Sequence, residues 1–351
     1  MKRLFAVILT IVMALMTGCG AKLDARDYAF DECVSYYKVR VPNPDYTLCE
    51  RADEETDSLF EAICEVEKGI LNDAYKLNLQ TEPIEIYFTD NIPKTVYGIC
   101  DNSYVNGYYS FELNQVFLDS KLKVDKTKMM GIMAHEAIHY IYANNNDVDS
   151  KFFTYKNDTG ELGDAMIEGL TQGIALDILV VLEGRGLCVG AYDTVKKCYY
   201  TNTIVTDILR RYSIPNIDMY YLTNNFELAR KEFNEKVGDI SSSHEPFELL
   251  EDALEKVQKY ETEGNVELGT KYLEEAFVLI AYSVSNSDEE VQEAFLTEFD
   301  GYKNFSDDYV RCIHDIVGTH WIYKCQNQLL KQSWFYFVFY YKFMYKNEGL
   351  W

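Results

Sequence analysis

The chain is predicted to be an α+β protein, with a part built from a small mixed sheet and two buried helices followed by a mainly helical part. Three observations predict this. Short alternating segments, Ile84–Phe88, Gly107–Glu112 and Gln115–Asp119, have the two-residue period of strands and fall close together. Two strongly apolar helical segments come next, one around residues 127–143 and one around 164–175. After Gly184-Arg185-Gly186 the pattern is almost wholly helical. With 351 residues, 48% of them hydrophobic and 15% aromatic, the chain can bury a large core, and two domains are a fair expectation at this length.

The first segment is Met1-Lys2-Arg3, an apolar run from Leu4 to Met16, and then Thr17-Gly18-Cys19. A basic start, a short apolar core and small residues form the pattern of a secretory signal, and the run is shorter than the ~20 residues a spanning helix needs. Leu15-Met16-Thr17-Gly18-Cys19 resembles a bacterial lipobox, although leucine is more usual than Met16 at its position. The resemblance implies that residues 1–19 are a lipoprotein signal and that Cys19 becomes the acylated anchor. The protein is then held on the extracytoplasmic face of the cell membrane by its N-terminal lipid. Residues 20–50 read as an irregular tether. An oxidising compartment permits disulfides among the other cysteines. Cys188 and Cys198, flanking a short glycine-containing loop, are the easiest pair to join, and Cys33, Cys49, Cys64 and Cys100 could staple the region before residue 101.

Arg51–Leu77 has helical periodicity through Leu59, Phe60, Ile63, Val66, Ile70 and Leu71. After the first strand, Gly107–Glu112 and Gln115–Asp119 bracket Leu113-Asn114 as a hairpin. The helix that follows starts at Asp125 or Thr127 and ends at the polar run Asn144–Asp147. It carries His135-Glu136-Ala137-Ile138-His139. On a helix the two histidines lie one turn apart on one face, so both imidazoles can reach a single metal ion. Glu136 is placed to contact a water on that metal rather than the metal itself. The chain has only 5 histidines, and two of them fall at ligand spacing in an apolar helix.

A catalytic zinc site needs a third protein ligand and an open position. No histidine occurs between His139 and His244, but Glu168 lies in the next apolar helix, where a carboxylate is costly to bury unless paired or metal-bound. His135-Glu136-x-x-His139 followed by Glu168-Gly169-Leu170-Thr171 resembles the gluzincin metallopeptidases, the group that includes thermolysin-like enzymes and zinc aminopeptidases. The resemblance spans about residues 80–182. It implies one Zn2+ per chain held by His135, His139 and Glu168, with Glu136 as the general base in peptide-bond hydrolysis. Where the thermolysin-like pattern has an Asp that orients a ligand histidine, this chain has Gln172, whose carbonyl can accept the same bond more weakly. The aminopeptidase Gly-x-Met-Glu-Asn segment is absent. Members of the group pair an extended substrate with an edge strand, for which Gln115–Leu118 is the candidate, and stabilise the oxyanion with a histidine or tyrosine. Here His244, His314, His320 and several tyrosines could serve.

The resulting division is a catalytic domain over residues 51–183 and a helical domain over 184–351. Helices in the latter are expected near Thr203–Tyr212, Phe226–Val237, Phe247–Thr262, Glu267–Ser283, Glu289–Phe299 and Asp307–Leu330, with Ser333–Tyr345 as a buried terminal helix. A net charge of −24 argues against nucleic acid and against electrostatic docking to anionic lipid. The expected partners are a peptide or protein substrate and the membrane. The competing function is a surface lipoprotein that keeps the fold only to bind a partner, against which stands the intact set of ligands and base.

Overall fold

The computed structural model describes residues 48–90, 92, 106–111, 113–146, 155–157, 160–162, 164–240, 244–302 and 305–317. The lipobox, the tether up to residue 47, His320 and the segment 318–351 lie outside them. The architecture is mostly helical with one small mixed sheet, in agreement with the predicted α+β class.

The sheet contains β1 (Cys49–Arg51), β2 (Glu85–Thr89), β3 (Gly107–Ser110) and β4 (Gln115–Asp119), in the order β1-β2-β4-β3. β1 pairs antiparallel to β2, β2 parallel to β4, and β3 antiparallel to β4. The predicted hairpin is therefore present, and Asn114 makes its turn in the left-handed conformation that asparagine tolerates. β1 begins within the stretch expected to be tether. The side chains alternate as the strand period requires. Ile86, Phe88, Val116, Leu118 and Tyr109 join the main core, while Tyr87, Phe117 and Tyr108 stack on the opposite face.

Gln115–Leu118 is not an edge. It lies between β2 and β3, because a parallel β2–β4 pairing leaves β3 outermost. The bond from the Asp119 amide to the Asn106 carbonyl, 2.9 Å, sets the ladder's phase. Opposed residues alternate between bonded and non-bonded pairs, so Gly107 and Tyr109 turn their backbone N–H and C=O groups away from β4.

Two helices pack on the sheet's core face. α1 (Glu54–Tyr75) is capped by Asp53, which accepts the Thr56 amide at 2.9 Å, and its first turn holds Glu54, Glu55 and Asp57, favourable at the positive end of the helix dipole. α2 (Lys126–Asn145) is capped by Asp125, which accepts the Lys128 amide at 3.0 Å. Its residues 131–142 are buried on every side, so α2 is an interior helix.

A short hairpin, β5 (Tyr155–Asn157) and β6 (Gly160–Leu162), precedes α3 (Asp164–Gly184). Ala165–Gly184 is long and apolar enough to cross a membrane, but it is mostly buried among other helices, as a core helix is. Around α3 gather α4 (Ala191–Val195), α5 (Tyr200–Ile208) continuing as a π-helical turn over Leu209–Ser213, and α6 (Ile217–Leu222). Then follow α7 (Phe226–Val237), α8 (Pro246–Thr262), α9 (Val266–Ser285), α10 (Glu289–Phe299) and α11 (Asp307–Val317). The helices expected from Thr203–Tyr212 to Glu289–Phe299 are found, and the one expected over Asp307–Leu330 as far as Val317; its remainder and the Ser333–Tyr345 helix lie outside the described residues. The short α4 and α6 were not expected; with five or six residues each they are too brief to show a period.

Contacts cross residue 184 freely. A Cβ on Gly169 of α3 would come within 2.8 Å of the Asn202 carbonyl of α5, so glycine is needed there for the close approach. Arg210 binds Asp177 of α3, Asp207 of α5 and Asp218 of α6, and Tyr75 of α1 also donates to Asp218 at 2.6 Å. Glu255 of α8 accepts the Ala165 amide at 2.8 Å and so satisfies a first-turn donor of α3. One continuous hydrophobic core runs from α1 to α11.

The predicted Cys188–Cys198 bridge is absent, and both are free thiols. The segment between them winds into α4 instead of forming an open loop, and Cys188 is buried at the end of α3. Cys64 is also a free buried thiol, while Cys33 and Cys100 fall outside the described residues.

Candidate metal centre

The centre is built from α2 and α3 where they cross beneath β3. His135 and His139, four residues apart on α2, face the same way, and Glu168, one turn into α3, meets them. The three side chains offer ligand atoms that all lie within 4.8 Å of one another. The two Nε2 atoms are 3.2 Å apart, and Glu168 Oε2 is 3.1 Å from the first and 3.6 Å from the second. The histidine side chains are about nine-tenths buried, at 8% and 10% exposure, whereas Glu168 keeps 26%, so the group opens to solvent on its carboxylate side.

Gln172, one turn beyond Glu168, decides the protonation of His135. Its amide nitrogen donates to the Val195 carbonyl at 3.0 Å, which leaves Oε1 to face His135 Nδ1 at 2.8 Å. Nδ1 must then carry the hydrogen, and Nε2 points its lone pair at Glu168 and His139. Three acceptors thus converge on one point, an arrangement that is repulsive without a proton or a cation between them. Zn–N and Zn–O bonds of about 2.0–2.1 Å at tetrahedral angles put ligand atoms roughly 3.3 Å apart, close to the separations seen. The donor set therefore fits one divalent metal ion. His139 Nδ1 is buried without a hydrogen-bond partner among the described residues, so only one of the two histidines is held from behind.

Electrostatics agree with this grouping. Burial pushes the Glu168 carboxyl up, but His139 and His135 more than reverse it and hold it well below the usual carboxylate range. Burial lowers the basicity of His135, and the neighbouring Glu168 and Glu136 carboxylates outweigh that, leaving it raised. Glu136 goes the other way. Its carboxyl is raised by burial, only partly opposed by the two imidazoles and, least, by the Tyr109 backbone N–H of β3 that faces it. Glu136 and β3 are in intimate contact, since a Cβ on Gly107 would lie 2.9 Å from Glu136 Oε1 and 2.4 Å from Ile132 Cγ2.

The sequence reading did not reach the aromatic walls. Phe111 lies edge-on to His139, with centroids 6.4 Å apart, and Tyr199 stacks on His135 at 5.5 Å and 14°. The Tyr199 hydroxyl lies beside the Glu168 carboxylate. Nothing in the sequence singles Tyr199 out from the other 28 of the 29 tyrosines. Its backbone is its one peculiarity, with φ 49°, a left-handed conformation uncommon for a tyrosine. Of the named histidines, His244 pairs with Glu248 at 3.3 Å and His314 with Asp300 at 2.7 Å, both away from this group.

An α+β fold with a two-histidine, one-carboxylate group on crossing helices is thus a candidate metal-binding protein. No family model, curated protein or solved structure matches the chain.

Proposed function

We propose that the chain is a zinc-dependent peptidase, acting outside the cytoplasm and anchored through a lipid on Cys19. The observation that carries the reading is the pairing of a closed set of three metal ligands with a buried carboxylate beside them that is not itself a ligand. A module that only bound metal or a partner would have no use for Glu136 at that point.

When bound, zinc acidifies a water and polarises the scissile carbonyl. His135, His139 and Glu168 hold it, and Gln172 keeps His135 in the tautomer that presents Nε2. Glu136, raised in basicity and steadied by the Tyr109 amide, takes the proton from the attacking water and returns it to the departing amine. The outward N–H and C=O of Gly107 and the outward C=O of Tyr109 make β3, not Gln115–Leu118, the strand suited to pair with an extended peptide. That pairing would set the peptide alongside Glu136.

Glu136→Gln preserves size and removes proton acceptance. It should keep zinc and fold, and slow peptide hydrolysis by ~10²–10⁴-fold. Glu168→Ala should instead lose zinc, because it deletes a ligand. Metal analysis and turnover of a peptide mixture measure both. Equal turnover by wild type and Glu136→Gln refutes the mechanism, and a zinc-loaded wild type that cleaves no peptide favours the partner-binding alternative. Cys19→Ala should abolish acyl labelling of the protein itself, recovered from cells that express it; unchanged labelling of that variant excludes the anchor.

A further inference from the structure

We propose that Tyr199 is a positioning residue of the metal centre, holding two ligands at once from the segment that joins α4 to α5. The inference rests on reading His135, His139 and Glu168 as metal ligands. Its ring lies parallel on the His135 imidazole, 5.5 Å between centroids at 14°, and its hydroxyl lies beside the Glu168 carboxylate. One rigid side chain therefore fixes the plane of a ligand on α2 and the rotamer of a ligand on α3.

The segment behind it is built to hold that pose. Val195, four residues earlier, accepts the Gln172 amide on its carbonyl, and Gln172 in turn holds His135 Nδ1. The Val195 side chain fills the notch left by Gly131 on α2, where a Cβ would lie 2.6 Å from Val195 Cγ1. Tyr199 itself is kept in a left-handed backbone, φ 49° and ψ 34°, immediately before the first turn of α5. Such a conformation is unfavourable in a non-glycine residue and persists only where surrounding contacts enforce it. Turning the chain this way aims the ring back over His135. The ligands come from α2 and α3, but this clamp comes from beyond residue 184, so the centre is supported from the helical half of the chain.

The test is zinc affinity, measured by competition with a chromophoric chelator on the purified protein. Tyr199→Phe keeps the stack and deletes the hydroxyl. Zinc should bind on the order of 10-fold more weakly, and Tyr199→Ala, which removes both contacts, toward 100-fold. The cobalt-substituted Phe variant should also show an altered visible spectrum, since freeing Glu168 changes the ligand geometry. Metal-free melts that match wild type establish that the variants fold; if the Ala variant does not, the Phe variant decides. Wild-type zinc affinity in both folded variants overturns the proposal. So does a loss of peptide hydrolysis at unchanged zinc affinity and unchanged cobalt spectrum, which would make Tyr199 a substrate-facing donor. Because the readout is binding, it decides the role of Tyr199 whether or not the chain cleaves peptides.

Discussion

A single missing methyl group shapes the ground between Glu136, the proposed general base, and the strand above it. Gly107 lets β3 settle against α2 so closely that a Cβ would meet Ile132 and Glu136 at 2.4 and 2.9 Å. Gly107→Ala should therefore lift β3 or push Glu136 off the Tyr109 amide. The expected cost is ~1–3 kcal/mol, as for other overpacked sites, seen as a lower denaturant midpoint with unchanged slope. Hydrolysis should fall by more than the loss of folded protein explains, because the base moves with the strand. A variant as stable and active as wild type would show that the contact relaxes at no cost. Gln172 is the other residue on which much turns: its two bonds leave it only one orientation, and that orientation dictates where the His135 proton resides.

At the level of elements, α1 presents a puzzle of its own. Its buried face runs through Phe60, Ile63, Cys64, Glu67 and Leu71, and both Glu67 oxygens lack hydrogen-bond partners among the described residues. Burial pushes the Glu67 carboxyl well above its ordinary value, so α1 docks with this side chain protonated. Below about pH 4.3, the ordinary glutamate value, Glu67 is protonated folded or unfolded and adds no pH dependence. Above it the unfolded chain releases the proton and the folded chain keeps it, so stability falls with rising pH until the folded-state value is passed. Glu67→Gln should flatten that fall, giving a higher melting temperature than wild type at neutral pH and a smaller difference near pH 4. Parallel melting curves across this range would show that Glu67 is ionised in both states.

For the whole molecule, a metal bound at the candidate centre would couple regions far apart in the chain. Its ligands come from α2 and α3, its inner support from α4 and the start of α5, and those helices share one core with α7 to α11. A ligand that binds only the folded state stabilises it by mass action, about 2.7 kcal/mol at a free concentration 100 times Kd. Zinc added to chelator-treated protein should therefore raise the melting temperature of the whole cooperative unit, and Glu168→Ala should show no such rise. A wild-type melt indifferent to zinc would argue against the centre. The −24 charge leaves the exposed surface strongly anionic, so these measurements should be compared at fixed ionic strength.

Local pattern alone determined a good deal about this protein. The cap at Asp125, the 107–119 hairpin and the helices from Phe226 to Phe299 are set by neighbours three or four residues away, and such short-range periods are written in the chain. The spacing of His135 and His139 belongs to the same class, because a helix converts four residues into one turn. Glu168 could be named because burying a carboxylate demands a partner. Tertiary structure decided the rest. Which strand is the edge depends on pairing between segments that do not adjoin, so Gln115–Leu118 and Gly107–Ser110 exchange roles without any change in their own pattern. The supposed Cys188–Cys198 bridge failed because five residues between them coil into α4, too short a helix to announce itself. Tyr199 reaches the centre only through a left-handed turn and the packing of α5 on α3, and no local period encodes a contact made by two helices and a turn that meet only when the core closes.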